Sequence, residues 1–401
     1  MSLHHGRHYL AIPGPSVMPD EVLTAMHRPA PNIYEGDLVE MTATLVRDLK
    51  WVARTAHEVV MYAANGHGAW EAALANTIRP GEKVLVLASG QFGHGWAEMA
   101  RRLGIEVDLI DFGMTAPADP ARLEQALRAD RDHAIRAVLC CHVDTSTGIL
   151  SDTAALSAAR DAAGHPALLM MDCIASLAAD RFEMDAWGAD VMVSGSQKGL
   201  MTPPGMAFVW FGPRAAEARA RVAPSSYWDW RPRSAPEFYY QHFCGTAPTH
   251  HLFALRQALD MLKAEGLDGI WARHDTLARA YWAAVEAWGQ GGAMRLNVPS
   301  PAARSRAVTS VHLPGGEGER LRRWCSETLG VTLGLAIGRE PRDDYFRIGH
   351  MGHVNAHMAL GVVGVIEAGL LALGIPHGAG ACRAAARVVA EAVSPLRRAA
   401  E

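Results

Sequence analysis

The feature of this sequence that most constrains its fold is a series of short apolar runs separated by helical patterns. The runs HEVVMYAAN, EKVLVLAS, EVDLIDF, IRAVLCCH, ALLMMDCI and DVMVSGS follow one another between residues 57 and 196. Strands that are apolar throughout, with helices between them, are typical of a mostly parallel sheet covered on both faces. The sequence therefore predicts an α/β fold.

The part of the chain beyond this series predicts one antiparallel strand and a second domain. GMAFVWFG, residues 205–212, follows the last run too closely for a crossover helix, so we expect it to run antiparallel to its neighbours. A chain of 401 residues exceeds the size at which a single core stops growing. We therefore divide it into an N-terminal arm (1–20), a large domain (21–275) and a smaller α+β domain (276–401).

Charge and composition bear on the kind of partner and the compartment. A net charge of −4 without a long basic run argues against nucleic acid or an anionic membrane as the main partner. The apolar stretch 359–375 is interrupted by Glu367 and several glycines, which favours a packed helix over a membrane span. The six cysteines form no CxxC pair and the N-terminus lacks a secretory signal. We expect reduced thiols and a cytoplasmic protein.

Two residues with complementary chemistry follow neighbouring strands of the series. Asp172 ends the run ALLMMD, and Lys198 comes just after DVMVSGS. Ligands in such sheets bind beyond the carboxyl ends of the strands, so both side chains should face one crevice. Pyridoxal phosphate chemistry needs such a pair, because a lysine amine bonds to the cofactor while a carboxylate keeps its ring nitrogen protonated. The spacing alone is equally compatible with a surface lysine and a helix-capping aspartate.

The wider sequence resembles a known enzyme family. Eight stretches match it in the family's order and span nearly the whole chain. The sequence is similar to the class V pyridoxal-phosphate-dependent aminotransferases, in particular the alanine/serine–glyoxylate group, through IPGPS (12–16), NGHGAWEAAL (65–74), CHVDTSTG (141–148), MDCIAS (171–176), SGSQKGLMTPPG (194–205), APTHHLFALRQAL (247–259), EGLDGIWARH (265–274) and FRIGHMG (346–352).

This resemblance implies a fold, a cofactor and two catalytic residues. The fold is the type I fold of pyridoxal-phosphate-dependent transferases, whose large domain holds a mostly parallel seven-stranded sheet. The cofactor is pyridoxal 5′-phosphate. Lys198 bonds covalently to it, and Asp172 contacts its ring nitrogen.

The resemblance also implies residues that hold the cofactor phosphate. Gly66 and His67 open a helix, where free backbone N–H groups suit an anion, and Gln197 is a further donor. Thr246 matches a residue that contacts the phosphate in the partner subunit, which implies a homodimer with shared active sites. The sequence departs from the family at Phe243, where a tyrosine is often found, so one phosphate contact between subunits is in doubt.

Other matched positions lie around the cofactor ring and its phenolic oxygen. Phe92 matches the aromatic residue that stacks on the ring, and Trp96, one helical turn later, is the competing candidate. Ile174 should pack on the opposite ring face. Ser146 is expected near the phenolic oxygen, with Thr147 as the alternative, although small polar residues before a glycine also form simple turns.

The expected substrate contacts come from both ends of the chain. Arg347, in FRIGH, matches the arginine that binds the substrate α-carboxylate, for which a planar guanidinium is better suited than an ammonium. Pro13 and Gly14, in IPGPS, match the segment that walls the substrate pocket, although they could also form a rigid turn. We expect no metal, since adjacent histidines such as His250 and His251 cannot face one ion.

The predicted reaction is transamination from serine or alanine to glyoxylate by a ping-pong mechanism, with Lys198 as general base and acid. The alternative donors are aspartate or another amine, with glyoxylate or pyruvate as acceptor. A dicarboxylate donor would need a second cation, for which the candidates are Arg231, Arg233 and Arg339.

Three other classes of function are weaker. A cysteine desulfurase or lyase would need a reactive cysteine on a mobile loop, and Cys325 lies in a helical pattern instead. A nicotinamide-dependent dehydrogenase would need the GxGxxG fingerprint, and GQFGHG has the wrong glycine spacing. A non-catalytic protein that merely binds pyridoxal phosphate is the third.

Overall fold

The computed structural model describes residues 3–394. Residues 1–2 and 395–401, at the outer ends of the predicted arm and small domain, lie outside the described residues. The strands, in chain order, are β1 Tyr9–Ala11, β2 Glu58–Tyr62, β3 Lys83–Ala88, β4 Glu106–Asp111, β5 Ile135–Cys141, β6 Val143–Asp144, β7 Ile149–Leu150, β8 Leu168–Asp172, β9 Val191–Gly195, β10 Ala207–Phe211, β11 Arg295–Leu296, β12 Val308–His312, β13 Val331–Leu335 and β14 Tyr345–Gly349.

Helices follow most of these strands. In chain order they are α1 Asp20–Met26, α2 Asp37–Val52, α3 Gly66–Ala75, α4 Gln91–Arg102, α5 Pro120–Ala129, α6 Thr153–Ala162, α7 Pro213–Arg219, α8 Arg231–Ser234, α9 Thr249–Glu265, α10 Leu267–Gly289, α11 Glu317–Leu329, α12 Ala356–Leu373 and α13 Ala381–Val393. Three short 3₁₀ segments lie at Tyr239–His242, Pro301–Ala303 and Arg342–Asp344.

The large sheet has seven strands in the order β2-β10-β9-β8-β5-β3-β4. Strands β3, β4, β5, β8 and β9 pair in parallel, whereas β10 is antiparallel to both β9 and β2. The predicted α/β fold with a mostly parallel seven-stranded sheet is therefore confirmed, as is the antiparallel direction of β10. The register places Asp172 between Cys141 of β5 and Val193 of β9.

Successive side chains of the central strands point to opposite faces of the sheet, and both faces are covered by helices. In β5, Val138 and Cys140 join one apolar core, while Ala137 and Leu139 join the other. Side chains from α2, α5, α6 and α9 complete the first core, and those from α3, α4 and α7 complete the second. Because successive strand residues face opposite sides, a strand buried on both faces must be apolar throughout.

A second, five-stranded sheet has the order β1-β13-β14-β12-β11 and packs against α10 to α13. Its edge strand β1 comes from the N-terminal arm and pairs in parallel with β13, with Tyr9 opposite Val331. The domain boundary predicted near residue 275 falls inside the continuous helix α10. The three-part domain division stays a prediction. It did not anticipate that β1 belongs to the second sheet or that residue 275 lies within a helix.

Helix α12 is the one described helix that is long and apolar enough to cross a membrane by length and composition. Such a helix is weak evidence, since core helices of soluble proteins pass the same test. Its residues Val362, Val363, Ile366 and Leu370 are buried in the core beneath the second sheet. One side of the helix thus packs in the interior, and a third of the helix is buried.

Candidate active site

The residues expected to hold the cofactor converge at the carboxyl ends of β5, β8 and β9. They line a cavity of about 270 Å³ there, next to the first turn of α3. The lining includes seven residues predicted from the sequence, Gly66, His67, Phe92, Asp172, Ile174, Gln197 and Lys198. It also includes five that were not predicted, Asn65, Trp70, Val143, Thr145 and Ala175.

Asp172 is a buried carboxylate held by three donors. Its Oδ1 accepts a hydrogen bond of 2.7 Å from the Ile174 backbone N–H. Its Oδ2 accepts bonds from the Trp70 indole Nε1 at 3.0 Å and from the Cys141 thiol at 3.6 Å. Burial raises the pKa of Asp172 to about 7, although the bonds from Ile174 and Trp70 act in the opposite direction.

Lys198 lies in the turn after β9, with its amine against the N-terminal segment. The amine donates to the carbonyl of Pro13. Gly14 has a φ of +97°, and a Cβ at this position would lie 2.5 Å from the lysine Nζ. The predicted residues Pro13 and Gly14 are therefore in contact with the lysine, and position 14 needs glycine for both conformation and space.

The electrostatic surroundings of Lys198 favour a reactive amine. Burial is the largest cause that lowers its pKa to about 8, and the positive charge of Arg347 acts in the same direction, whereas Asp172 opposes both. A sizeable fraction of the amine is therefore neutral near pH 8. A neutral amine is the form that attacks an aldehyde.

The first turn of α3 forms one wall of the cavity. Asn65 caps this helix, because its side-chain oxygen accepts from the N–H groups of His67 and Gly68. An anion bound at this end would therefore replace the Asn65 oxygen at those N–H groups. A Cβ at Gly66 would lie 2.3 Å from Ile174 Cδ1, so the glycine allows Ile174 to reach into the cavity.

The two candidates for the stacking aromatic residue occupy different places. Phe92 lines the cavity, and its backbone N–H donates to the buried carboxylate of Asp144 at 2.9 Å. Trp96 is completely buried behind Trp70, on which it stacks with ring centroids 5.7 Å apart. Of the two, Phe92 is the one that a cofactor in this cavity can contact.

Ser146 is not among the residues of the cavity lining, and its expected place near the phenolic oxygen stays a prediction. Its hydroxyl donates to Asp144 and accepts from the N–H of Gln91, so it fastens the start of α4. Thr147 is likewise used in its turn, where its hydroxyl donates to the Asp144 carbonyl. The residues of this motif that line the cavity are Val143 and Thr145, and Thr145 is the one with a hydroxyl.

Arg347 lies on β14 of the second sheet and reaches toward the lysine. Its guanidinium donates to the carbonyls of Thr145 at 2.7 Å and Leu335 at 2.6 Å. Burial lowers its pKa to about 10, so it remains positively charged at neutral pH. Among residues 3–394, no carboxylate lies within ion-pairing distance of it. The substrate contact expected from the sequence thus has an available cation.

Thr246 lies outside the cavity of its own chain and is exposed on the segment between the 3₁₀ turn and α9. Phe243, three residues earlier, is buried and packs against Tyr239 and His242. The side chain at position 243 therefore lies in the interior of this chain. Of the two residues, Thr246 is the exposed one.

Comparison with known proteins places the chain in a family. The model of the class-V aminotransferases matches residues 8–339. The chain is 36% identical over 382 residues to an L-aspartate–glyoxylate aminotransferase of Paracoccus denitrificans, with 94% of each chain covered. It is 35% identical over 384 residues to a serine–glyoxylate aminotransferase of Methylorubrum extorquens, with 92% of each covered. The chain belongs to the class-V aminotransferases.

A solved structure agrees with this assignment. The ureidoglycine–glyoxylate aminotransferase of Bacillus subtilis superimposes on this aminotransferase with a TM-score of 0.87 at 26% identity, covering 96% of this chain and 98% of the other. The family uses pyridoxal phosphate, which when bound supplies an electron sink for breaking bonds at an amino acid Cα.

The cavity of this aminotransferase fits that cofactor. Lys198 offers an amine for the covalent link, and Asp172 offers a carboxylate for the ring nitrogen. Gln197 is half-buried in the lining, and its side-chain oxygen Oε1 has no hydrogen-bond partner among the described residues. The residues at the start of α3 suit the phosphate.

The most informative residue missed from the sequence is Trp70. It lies four positions after Gly66 in a helix, and residues at that spacing share one face. That spacing was a usable signal. By contrast, three consecutive hydroxyl residues in CHVDTSTG gave no indication of which one faces the cavity.

Proposed function

We propose that this aminotransferase transfers the amino group of serine or alanine to glyoxylate by a ping-pong mechanism. The observation that carries the proposal is the buried guanidinium of Arg347, which has no carboxylate partner among the described residues and whose positive charge acts on Lys198. One planar cation suits one α-carboxylate.

Arg347 and Lys198 have separate roles in the proposed reaction. Arg347 holds the α-carboxylate, which orients Cα toward the Lys198 amine. That amine takes the Cα proton as general base and, with the cofactor bound, would deliver it to the cofactor's C4′ carbon as general acid, a role for which a pKa of about 8 is suitable. The family relatives support the acceptor, since the proteins of Methylorubrum extorquens and Arabidopsis thaliana are both serine–glyoxylate aminotransferases by name.

Cys325 speaks against the desulfurase alternative. It is fully buried within α11, and burial raises the pKa of its thiol to about 12. A thiol in this state is neither a nucleophile nor on a mobile loop. Transamination therefore remains the better-supported chemistry.

Aspartate is the second candidate donor, favoured by one specific observation. Arg339 is buried, donates to the Met114 carbonyl, and has an Nε without a partner among the described residues. The negative charge of Asp144 acts on both Arg339 and Arg347. The relative in Paracoccus denitrificans is an aspartate–glyoxylate aminotransferase by name.

A visible-absorbance scan against a panel of amino acids tests the donor. Serine or alanine should bleach the band of the lysine-bound cofactor, and glyoxylate should restore it. Arg339→Leu should leave these changes intact. If aspartate bleaches the band faster than either and Arg339→Leu removes that response, the second candidate is correct. Failure of every amino acid to bleach the band would contradict transamination.

We also infer that the protein works as a cytoplasmic homodimer in which Thr246 contacts the cofactor phosphate of the other subunit. The exposed position of Thr246, outside the lining of its own chain's cavity, supports this. The neighbouring Phe238 and Tyr240 expose more than half of their surface, 55% and 56%. Apolar surface of this kind is typical of subunit contacts.

A further inference from the structure

Trp70 is a fully buried tryptophan whose one polar atom points at the reaction centre. Its indole Nε1 donates a hydrogen bond of 3.0 Å to Asp172 Oδ2. The indole plane is fixed by Trp96, which stacks on it at an interplanar angle of 15°, and by the neighbouring rings of His67 and Phe92. The direction of the N–H is therefore set by packing.

The three donors on Asp172 fix its carboxylate in rotation. The Ile174 N–H holds Oδ1, while Trp70 and Cys141 share Oδ2. An indole N–H is a donor only and does not titrate, so it stabilises the ionised carboxylate at every pH. The thiol of Cys141 is weaker, because it lies at 3.6 Å and is a poor donor.

We propose that Trp70 is a positioning residue for transamination, whose indole N–H fixes the orientation and the ionised state of Asp172 against the cofactor ring. This inference rests on the proposed function. It extends the active site to a residue of α3 that lines the cavity and acts through Asp172.

The charged surroundings of Asp172 determine what the loss of this bond would do. Burial raises its pKa, the charge of Asp144 acts in the same direction, and the bonds from Ile174 and Trp70 lower it. The other titratable groups that interact with it are Lys198, Cys140, Cys141 and Cys173. Substituting Trp70 adds or removes no charge, so the removal of its N–H should raise the pKa of Asp172 further.

The test is the affinity of the apoenzyme for pyridoxal phosphate between pH 5.5 and 8.5 in wild type and in Trp70→Phe. A protonated Asp172 cannot pair with the ring nitrogen and a protonated Lys198 cannot attach to the cofactor, so affinity should fall toward acid pH for both reasons, and only the Asp172 part should differ between wild type and variant. In the variant this fall should begin at higher pH, giving a loss of roughly tenfold near pH 7 that shrinks by pH 8.5. A purely structural defect would lower affinity by the same factor at every pH.

Trp96→Phe is the matched control. It removes an equally buried indole from the same stack, but its Nε1 has no hydrogen-bond partner among the described residues. Its affinity ratio to wild type should not vary with pH. If Trp70→Phe does not fold, β-(3-benzothienyl)alanine at position 70 keeps the ring shape without the N–H. A pH-independent ratio for the variant at position 70, or an equal shift in Trp96→Phe, would overturn the proposal.

Asp172→Asn separates this inference from the function on which it rests. In wild type, protonation of the Asp172 carboxylate should lower the affinity for pyridoxal phosphate as the pH falls. Asp172→Asn should lose this contribution to the pH dependence. If the pH dependence persists unchanged in Asp172→Asn, the role of Asp172 itself is wrong, and the proposed function fails with it. If Asp172→Asn removes this contribution and the variants at position 70 do not move it, only the role of Trp70 is wrong.

Discussion

Lys198 differs from the other lysines of this chain in what surrounds it. The sequence contains three others, and each forms an ion pair near the surface, Lys50 with Glu58, Lys83 with Asp108 and Lys263 with Asp48. Lys198 instead faces a backbone carbonyl and an arginine, and burial disfavours its charged form. The structure thus selects one lysine for nucleophilic chemistry.

Arg347→Gln should raise the pKa of Lys198, because it removes a positive charge that disfavours the ammonium. Covalent attachment of pyridoxal phosphate to the apoenzyme requires the neutral amine, so its rate should rise with pH through the pKa of Lys198, about 8 in wild type. In the variant this rise should move to higher pH. Stopped-flow absorbance at a series of pH values measures it.

Arg304→Gln, which removes an arginine paired with Glu286, provides the comparison. Its attachment rate should follow the wild-type pH profile. An unchanged profile in Arg347→Gln would show that the arginine does not act on the lysine. A shift in both variants would point to a general loss of structure.

At the scale of elements, the site depends on a contact between the N-terminal segment and the turn after β9. Ser16 donates from its hydroxyl to the Lys198 carbonyl at 2.7 Å, and from its N–H to the Gln197 carbonyl at 2.8 Å. Strand β1, just before this segment, is hydrogen-bonded to the second sheet. One short stretch of chain therefore ties both sheets to the reactive lysine.

Gly14→Ala should displace the lysine amine, because the added Cβ would lie 2.5 Å from Nζ. The long side chain can move, so the fold should lose only about 1–2 kcal/mol from the positive φ. Cofactor attachment should slow at least tenfold. Stability by denaturant titration and attachment by absorbance measure the two effects separately.

Gly36→Ala is the control for backbone strain, since φ at Gly36 is +88° and a Cβ there would meet nothing within 4 Å. It should cost similar stability and leave attachment unchanged. Equal attachment rates in the two glycine variants would mean that Gly14 is needed only for its conformation.

Some of these elements could be predicted from the sequence and others could not. The apolar runs predicted the large sheet and the antiparallel β10 because burial on both faces leaves a continuous signal. Strand β1 has only three residues, too few for a period, and its pairing with β13 spans more than 300 positions. Thr145 was not predicted in the lining, because sequence does not reveal which hydroxyl of this motif the turn uses for its own hydrogen bonds, as it uses that of Ser146.

At the scale of the whole molecule, the proposed dimer makes each active site depend on two chains. Lys198→Ala removes the amine from its own site, and Thr246→Ala removes a phosphate contact from the partner's site. A mixed dimer of these two variants would contain one site with both residues intact. Unfolding and refolding the two variants together should therefore produce a population of sites with wild-type cofactor affinity.

Neither variant alone should contain sites with wild-type cofactor affinity. In the mixture, cofactor titration should find wild-type affinity at about half of the sites of the mixed dimers. If the cofactor titration of the mixture equals the sum of the titrations of the two separate variants, the active sites are not shared between subunits. Light scattering of the untreated protein gives the oligomeric state independently.

The central claim is that Lys198 carries the cofactor while Asp172 faces the same ring. Reduction of the holoenzyme with borohydride fixes the cofactor to its lysine, and peptide mass spectrometry then locates it. The account predicts the label on the peptide that contains Lys198 and its loss in Lys198→Ala. Label on Lys50, Lys83 or Lys263, or label that survives in Lys198→Ala, would contradict it.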